Sequence, residues 1–407
     1  MTIGLSGLWD LPARLRRIGI PPVWLHTEGQ RRRNAVIMNR PRIDRITLII
    51  SSLTTGGAER VMTTMANAWV ARGRTVNLVT LTGPDMPPFY PLDPAINLIP
   101  LGHAAPSRTP IDAARANTHR LIALRDAITR TDPDIVISFL DTTNIRTLLA
   151  TVGLSVPVIV AEHTDPGLKQ MPRVWSGLRR ATYPRARQVV VLSHSAREYF
   201  PSRIQAHTTV LPKPVAIDPT APRTAPAARQ SIAAMGRFGP EKGFDLLLDA
   251  FARIAETHPA WDLVIWGDGV LRADLETRRD HLGLHNRVTL PGRTTEPHQA
   301  LRQSDIFALS SRREGFPMVL AEALACGLPA VAFNISSGIS DILRPGLDGL
   351  LVEPGDVPGF AAALDRLITD PAERARMSTS APHVLERFGV ETVMDRWDAL
   401  IADVVAA

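Results

Sequence analysis

Short continuous runs of apolar residues recur along the first half of the chain, and polar loops and segments with helical periodicity separate them. The runs that stand before residue 212 are 46–52, 75–81, 135–139, 157–163 and 188–193. Apolar runs without polar alternation are typical of strands buried on both faces, as in a parallel sheet between two helix layers. The pattern therefore predicts a doubly wound α/β domain over residues 45–211.

The same alternation starts again after a segment rich in proline and alanine at 212–230, which we interpret as an extended linker. The apolar runs of this second half are 231–235, 261–266, 287–290, 305–310 and 330–333. They predict a second α/β domain over 231–385, followed by a helix within 386–407. Ligands of doubly wound sheets bind beyond the carboxyl ends of the strands, so we expect a cleft between the two domains.

The composition is that of a globular protein, since 45% of the 407 residues are apolar and 21% are charged. The single cysteine, Cys326, excludes a disulfide framework and favours a reducing compartment. No uncharged apolar stretch is long enough to span a membrane. We therefore expect a cytoplasmic protein.

Charge is distributed unevenly. Residues 1–211 carry 26 Lys and Arg against 14 Asp and Glu, a net charge of +12, and the remainder carries 20 against 26, a net charge of −6. The basic leader 1–44 fits a disordered arm or a membrane-surface tether. It also fits a start codon assigned too far upstream, with translation beginning at Met38. The asymmetry suggests an anionic partner. An aromatic content of only 5% argues against nucleic acid and favours a membrane surface or a phosphate-bearing acceptor.

The segment GRFGPEKGF at 236–244 follows a predicted strand and opens a predicted helix. Its glycines permit a tight loop, and Arg237 and Lys242 place two cations near a helix N-terminus, which suits a pyrophosphate. A helix start with solvated charges explains the same residues equally well. The spacing of a P-loop is absent, so that kind of nucleotide site is excluded.

Two glutamates stand eight positions apart in the segment EGFPMVLAE. Glu314 lies in the loop beyond the predicted strand 305–310, and Glu322 lies within a helix predicted over 317–326. The apolar neighbours of Glu322 indicate burial, which is costly for a carboxylate without a bonding partner. A salt bridge or a solvated face would explain this residue structurally, whereas the functional interpretation is a bond to the hydroxyls of a ribose or sugar.

Two weaker signals also fall at strand ends. Gly56 and Gly57 follow the first strand and would let the backbone approach a phosphate, although a flexible turn explains them as well. Glu162 and His163 end the run 157–163, where the cleft is expected. A structural and a functional role for His163 are equally compatible with this position.

No metal site is predicted. The D-x-D match formed by Asp132 and Asp134 precedes a strand instead of following one, so it should face away from the cleft as a helix-to-strand turn. No Cys and His cluster has the spacing of a zinc site.

Four motifs in the same order, GGAERV, AEH, GRFGPEKG and EGFPMVLAE, resemble those of glycosyltransferase family 4 over roughly residues 45–400. The two glutamates fit the E-x7-E pattern of that family. The resemblance implies the GT-B fold, with two Rossmann-like domains facing a central cleft, and a retaining transferase that uses a nucleotide-sugar. It implies no essential metal or other cofactor, and a C-terminal helix that packs back on the first domain.

By the same resemblance, Arg237 and Lys242 would hold the diphosphate, Glu322 the ribose hydroxyls and Glu314 the donor sugar. His163 would contact a sugar hydroxyl near the reacting carbon, and we count it with Glu314, Arg237 and Lys242 as catalytic. The complete donor-binding set that we expect is Gly56, Gly57, Arg237, Lys242, Arg293, Glu314, Gly315, Phe316, Pro317, Met318, Val319 and Glu322. The chain departs from the family at LPKPV, where Lys213 replaces a usual Asn, and at Ile339, where proline is common.

The resulting prediction is a retaining hexosyltransferase that moves a sugar from a UDP-sugar or GDP-mannose to a lipid-linked or saccharide acceptor of a surface or exported polysaccharide. A GT-B sugar-nucleotide epimerase and a non-catalytic nucleotide-sugar-binding protein remain as alternatives.

Basic and aromatic residues within 168–187 fit a surface that touches anionic lipid. They favour a polyprenyl-diphosphate-linked acceptor at the inner face of the cytoplasmic membrane, although a solvated basic helix fits equally well.

Overall fold

The computed structural model describes residues 43–103, 109–164, 166–167, 171–218, 221, 230–335 and 337–407. The predicted leader, apart from its last two residues, lies outside the described residues, and so does most of the predicted linker. The described part contains two parallel sheets with flanking helices, which confirms the prediction of two Rossmann-like domains.

The first sheet is wholly parallel. Its strands are β1 (Arg45–Ile50), β2 (Thr75–Thr80), β3 (Asn97–Pro100), β4 (Ile135–Phe139), β5 (Val158–Ala161), β6 (Gln188–Val191) and β7 (Thr208–Val210). They lie in the order β3-β2-β1-β4-β5-β6-β7, with parallel pairing at each neighbour. The chain order reverses between β1 and β4, so a crevice opens there at the carboxyl edge of the sheet.

The second sheet repeats this design. Its strands are β8 (Gln230–Met235), β9 (Trp261–Trp266), β10 (Val288–Gly292), β11 (Ile306–Leu309), β12 (Ala330–Phe333) and β13 (Gly349–Val352). They lie in the parallel order β10-β9-β8-β11-β12-β13, and the reversal falls between β8 and β11. The loops after these two strands are therefore the expected place for a ligand.

Helices cover the faces of both sheets. Those of the first half are α1 (Gly57–Ala71), α2 (Pro110–Thr131), α3 (Asp141–Ala150), α4 (Arg173–Thr182), α5 (His194–Glu198) and α6 (Ser202–Gln205). Those of the second half are α7 (Phe244–Ala252), α8 (Arg272–His281), α9 (Pro297–Arg302), α10 (Met318–Ala325), α11 (Ser337–Ile342), α12 (Val357–Thr369), α13 (Pro371–Ser380), α14 (Leu385–Phe388) and α15 (Val390–Ala406).

The central strands are buried on both faces, as their sequence predicts. Every residue of β4 is buried, and β1 is buried at every position except Arg45. Ile46 and Leu48 of β1 belong to one apolar cluster and Ile49 belongs to another, because successive side chains of a strand point to opposite faces. This double burial positions the carboxyl ends of the strands rigidly.

The C-terminal helix α15 packs against the first domain. The rings of Trp397 and Trp69 meet edge to face, with 6.2 Å between their centroids. Asp398 accepts hydrogen bonds from Trp69 Nε1 at 3.0 Å and from Arg72 Nη1 at 2.8 Å. The chain thus returns to the domain in which it began, and α15 ties the two halves together.

The basic segment 168–187 differs from its prediction at two positions. Residues 168–170 lie outside the described part, while Arg173, Arg180 and Arg185 are exposed as expected. Arg179 and Tyr183, by contrast, are buried, so the view that they form a membrane-facing surface is wrong. The described residues include no helix that is both long enough and apolar enough to cross a membrane.

Candidate functional site

The loop after β8 brings Arg237 and Lys242 to the carboxyl edge of the second sheet. Pro240–Lys242 form a 3-10 turn, and α7 begins directly after Gly243. Gly243 has a φ of +62°, and a Cβ atom there would lie 2.1 Å from the carbonyl oxygen of Ser310. Glycine is therefore required, both for the left-handed backbone and for the close approach to the neighbouring loop.

The loop after β11 is bonded to this first loop because β8 and β11 are adjacent. Ser310 Oγ donates to the carbonyl oxygen of Lys242 at 3.1 Å. Lys242 Nζ donates to Glu314 Oε1 at 2.6 Å, and Ser311 Oγ donates to the same oxygen at 2.8 Å. Two of the predicted residues, Lys242 and Glu314, thus form one largely buried ion pair.

Arg237 lies at the open side of the same loop. Its side chain is 75% exposed, and its Nη2 donates to Glu241 Oε1 at 2.7 Å. Burial would raise the pKa of Glu241, but the hydrogen bond from Arg237 and the charges of Arg237 and Lys242 hold it below its usual value. Glu241 therefore stays ionised, and Arg237 remains free to move toward an anion.

Glu322 is a buried carboxylate of α10 whose partner comes from the other domain. Arg60 of α1 places its Nη1 2.7 Å from Glu322 Oε1, which is an ion pair without the alignment of a hydrogen bond. Burial raises the pKa of Glu322, while the charges of Arg60 and Lys213 oppose that shift. The buried carboxylate of Glu322 is thus paired with a positive charge, which offsets the cost of burying it.

Arg60 also contacts His298, and this contact links α1 to α9. Arg60 Nη2 lies 2.8 Å from His298 Nε2. Burial, together with the charges of Arg60 and Arg302, lowers the pKa of His298 to about 4. The imidazole is therefore neutral near pH 7, and Nε2 accepts the hydrogen bond from the guanidinium.

His163 follows β5 and is buried without a polar partner. Neither ring nitrogen has a hydrogen-bond partner within the described ranges. The ring lies against Phe139, with 3.8 Å between centroids. Burial and the charge of Lys213 hold the pKa of His163 well below its usual value, so the imidazole is neutral. A buried polar group without a partner is costly, which is the expected state of a group that binds a ligand.

A cavity of about 410 Å³, which we call the central cavity, lies beside His163, Arg237 and Glu314. The residues that line it include His163, Lys213, Arg237, Arg313, Glu314, Gly315 and Phe316. A cavity of about 590 Å³ among residues 366–376 is larger but lies away from both strand-order reversals. Size alone would thus have pointed to the wrong place.

The predicted residues of two further segments do not line the central cavity. Gly57 is the first residue of α1, and Gly56 precedes it with extended backbone. Pro317, Met318 and Val319 form the start of α10, where backbone amides have no partner within the helix.

Arg293 is one of the predicted donor-binding residues that do not line the central cavity. It is exposed and follows β10, which is the edge strand of the second sheet. Two strands, β9 and β8, separate β10 from the reversal at which the cavity lies.

The D-x-D pair lies at the amino edge of the first sheet, as predicted. Asp134 Oδ2 accepts from the backbone N–H groups of Asp44 and Arg45 at 2.8 and 2.9 Å. Asp132 Oδ2 lies 2.9 Å from Arg45 Nη1. Both carboxylates therefore serve the turn into β4. In the described part of the chain, His, Cys, Asp and Glu side chains form no cluster of three or more that could hold a metal.

Sequence comparison supports the reading of both halves. The family model described as Glycosyltransferase Family 4 matches residues 55–218, and that described as Glycosyl transferases group 1 matches residues 222–384. An N-acetylgalactosaminyltransferase of Campylobacter jejuni, which acts on a glycan linked to PP-undecaprenol, is 28% identical over 88% of this chain and 99% of its own length. The amylovoran biosynthesis glycosyltransferase AmsD of Erwinia amylovora is 25% identical over 87% and 98%.

Solved structures show the same fold. The HepE protein of Anabaena, in complex with UDP and glucose, superposes with a TM-score of 0.71 at 19% identity and covers 89% of this chain and all of its own. Sucrose-phosphate synthase from Thermosynechococcus elongatus superposes with a TM-score of 0.75 at 21% identity, covering 89% and 99%. The two-domain arrangement seen here is therefore shared by these proteins.

Proposed function

This chain belongs to the family 4 glycosyltransferases of the GT-B fold, and from that premise we propose that it is a retaining hexosyltransferase. Its donor is a UDP-sugar or GDP-mannose, and its acceptor is a lipid-linked or other saccharide in the synthesis of a surface or exported polysaccharide. The relatives that act on PP-undecaprenol-linked glycan and in amylovoran biosynthesis support this direction.

The observation that carries the proposal is the convergence of His163, Arg237 and Glu314 on one cavity at the carboxyl edges of both sheets, with Lys242 bonded to Glu314. Lys242 and Arg237 would hold the donor diphosphate, with the start of α7 beside them. Glu314 would accept hydrogen bonds from the donor sugar, and the neutral, unpartnered His163 can accept a bond from a sugar hydroxyl or donate one. Each of these groups has a free bonding capacity that a nucleotide-sugar matches.

The transfer itself requires two bond changes at the anomeric carbon. The bond to the diphosphate oxygen breaks with its electron pair passing to the phosphate, and an acceptor hydroxyl oxygen forms the new bond on the same face. The hydroxyl proton passes to the departing phosphate. Lys242 and Arg237 stabilise the negative charge that builds up there, which is the kind of contribution that preorganised cations make to catalysis. We propose that the reaction needs no metal ion, because these side chains supply the positive charge.

Nucleotide binding is the first test. We expect one of UDP, GDP, ADP and CMP to raise the melting temperature of the wild type, since a ligand at 100 times its Kd stabilises by about 2.7 kcal/mol. Glu322→Ala should lose most of this shift because it removes the acceptor for the ribose hydroxyls. Arg60→Met is the matched control, since it breaks the same ion pair but keeps the carboxylate.

The outcomes separate three cases. A shift that survives in Arg60→Met and disappears in Glu322→Ala supports the ribose role. An equal shift in Glu322→Ala contradicts that role but leaves the transferase proposal standing. The absence of a shift with every nucleotide in the wild type would count against the donor class itself.

The acceptor side offers a second test. One face of α4 exposes Arg173 and Arg180, and Val174 between them is 73% exposed. We propose that this face meets the anionic surface of the membrane that carries a polyprenyl-linked acceptor. Arg173→Glu/Arg180→Glu should abolish flotation with vesicles of anionic lipid, measured by co-flotation at low salt. Arg253→Glu/Arg396→Glu, with the same charge change at other exposed positions, should float like the wild type. Wild-type protein that stays unbound would refute the membrane contact.

A further inference from the structure

Lys213 is a buried cation that the cavity contains and that the predicted donor site does not use. It lies in the segment between β7 and Val215, and only 7% of the residue is exposed. The backbone is fixed on either side of it, because Leu211 N–H donates to Val191 O at 2.9 Å and Val215 N–H donates to Phe388 O at 2.7 Å. The side chain therefore enters the cavity from a rigid support.

The ammonium group of Lys213 has no hydrogen bond or ion pair to a described residue, although charged groups surround it. Glu314, Glu322 and Glu59 favour its charge, and Lys242 opposes it. Two of these carboxylates are already engaged, since Lys242 and Ser311 bond Glu314 and Arg60 pairs with Glu322. Burial is the largest influence and lowers the pKa of Lys213 to about 8.

A lysine in a largely buried position without a direct partner is costly, and one that serves only packing could be replaced by an apolar residue at a gain in stability. His163, on the same cavity wall, is also buried and unpartnered within the described part of the chain. Two such groups facing one space point to a ligand that supplies their partners. Because Lys213 carries a positive charge, we infer that the ligand it binds is an anion.

The charge balance of the cavity selects which anion. Glu241 compensates Arg237, and Glu314 compensates Lys242. The positive charge left over on the cavity wall belongs to Lys213 and to the exposed Arg313. A sugar diphosphate ester carries one negative charge on each phosphate, which these two uncompensated cations balance in number while Lys242 and Arg237 bond the same group.

The use of lysine in this chain agrees with a special role. The sequence contains only three lysines, at positions 169, 213 and 242, against 43 arginines. Two of the three lie at the central cavity or bond one of its carboxylates. Lysine differs from arginine in presenting a compact point charge, which fits a site where a phosphate oxygen and a sugar are held side by side.

We propose that Lys213 binds the sugar-side phosphate of the donor and stabilises the charge that develops on it when the bond to the anomeric carbon breaks. This assignment rests on the proposed function, because it takes a nucleotide-sugar as the donor. It complements Lys242, since Lys213 belongs to the segment that follows β7 of the first sheet and Lys242 to the loop after β8 of the second. The leaving group would then be held by cations from two separate segments of the chain.

The test compares nucleoside diphosphates with monophosphates, because only the former carry the sugar-side phosphate. UDP, GDP, UMP and GMP are titrated calorimetrically into wild type, Lys213→Met and Lys213→Arg. We expect Lys213→Met to weaken diphosphate binding by about 10–100-fold, the range of a charge-assisted hydrogen bond, and to change monophosphate binding by less than about twofold. Lys213→Arg keeps the positive charge and should lose less affinity for the diphosphates than Lys213→Met.

A pH series gives a readout that a purely structural lysine would not move. The protonated lysine is the form that binds, so wild-type affinity for the diphosphate should fall as the pH rises through about 8. Lys213→Arg should show no such fall between pH 7 and about 9, because arginine stays protonated there. This comparison also holds if Lys213→Met folds poorly, since it needs only the wild type and the arginine variant.

Each outcome bears on a different statement. Wild-type protein that binds none of the nucleotides overturns the proposed function. Wild-type binding that Lys213→Met leaves unchanged overturns the role of Lys213 alone. An equal loss for monophosphates and diphosphates also overturns it, because the effect would then not come from the sugar-side phosphate.

Discussion

Lys242→Met is expected to lower kcat/KM for sugar transfer by about 10²–10³-fold, the usual cost of removing one group that stabilises developing charge in an active site. The variant loses one of the two cations of the loop after β8. It also releases Glu314, whose carboxylate lies 2.6 Å from Lys242 Nζ and is largely buried. That carboxylate would then repel the incoming diphosphate, so both effects act in the same direction.

The measurement is acceptor-dependent release of the nucleoside diphosphate. Arg253→Met removes one positive charge from an exposed position beyond the end of α7 and should change the rate by less than about twofold. Glu314→Gln in the Lys242→Met background separates the two effects, since it removes the repelling charge without restoring the cation. A double variant that recovers part of the lost diphosphate affinity supports the repulsion, whereas an unchanged rate in Lys242→Met contradicts the assignment.

The interior of the fold could be predicted from sequence because burial leaves a strong pattern. The runs 135–139, 261–266 and 330–333 coincide with β4, β9 and β12 at both ends. The strands that escaped prediction are β3, β7 and β13, and all three are sheet edges. An edge strand pairs on one side only, and these three are short and partly exposed, so their apolar pattern is weak.

Residues of the candidate site that directly follow a strand could be predicted from the sequence. Those that contact residues distant in the sequence were harder to predict. Arg237, Lys242, Glu314 and His163 all follow strands that end at the cavity. Arg60 stands 262 positions before its partner Glu322, and no local pattern announces such a pair. Lys213 had a signal in the sequence, namely the scarcity of lysine, but its burial depends on how the segment after β7 is held.

The segment 168–187 shows why charge runs mislead when the partner lies elsewhere. The basic and aromatic residues of this segment suggested a surface that touches anionic lipid, or else a solvated basic helix, yet Arg179 turns inward with its side chain only 5% exposed. Its Nη1 lies 3.8 Å from Glu162 Oε1, and its Nη2 donates to the hydroxyl of Tyr199 at 2.8 Å. Glu162 lies on the loop after β5, so sequence spacing within α4 could not reveal the pair.

Arg179→Ala is expected to lower the free energy of unfolding by about 3–5 kcal/mol, because it breaks a buried ion pair and removes the hydrogen bond to Tyr199. Tyr183 O–H also donates to Glu162, and burial followed by the charge of Glu162 raises the pKa of Tyr183 well above its usual value. This phenol therefore stays protonated. The guanidinium also lies over the ring of Tyr199, 5.1 Å from its centroid, and this contact is lost as well.

Arg180→Ala is the matched control, since the neighbouring arginine is exposed and its truncation should change stability by less than about 0.5 kcal/mol. Urea unfolding of both variants gives the two free energies directly. Equal values for the two variants would show that Arg179 is solvated and would refute the buried pair.

A large difference has a further consequence, because Glu162 directly precedes His163 on the loop after β5. The pair then fixes the backbone that presents the imidazole to the cavity, and Arg179→Ala should also weaken catalysis without touching the substrate.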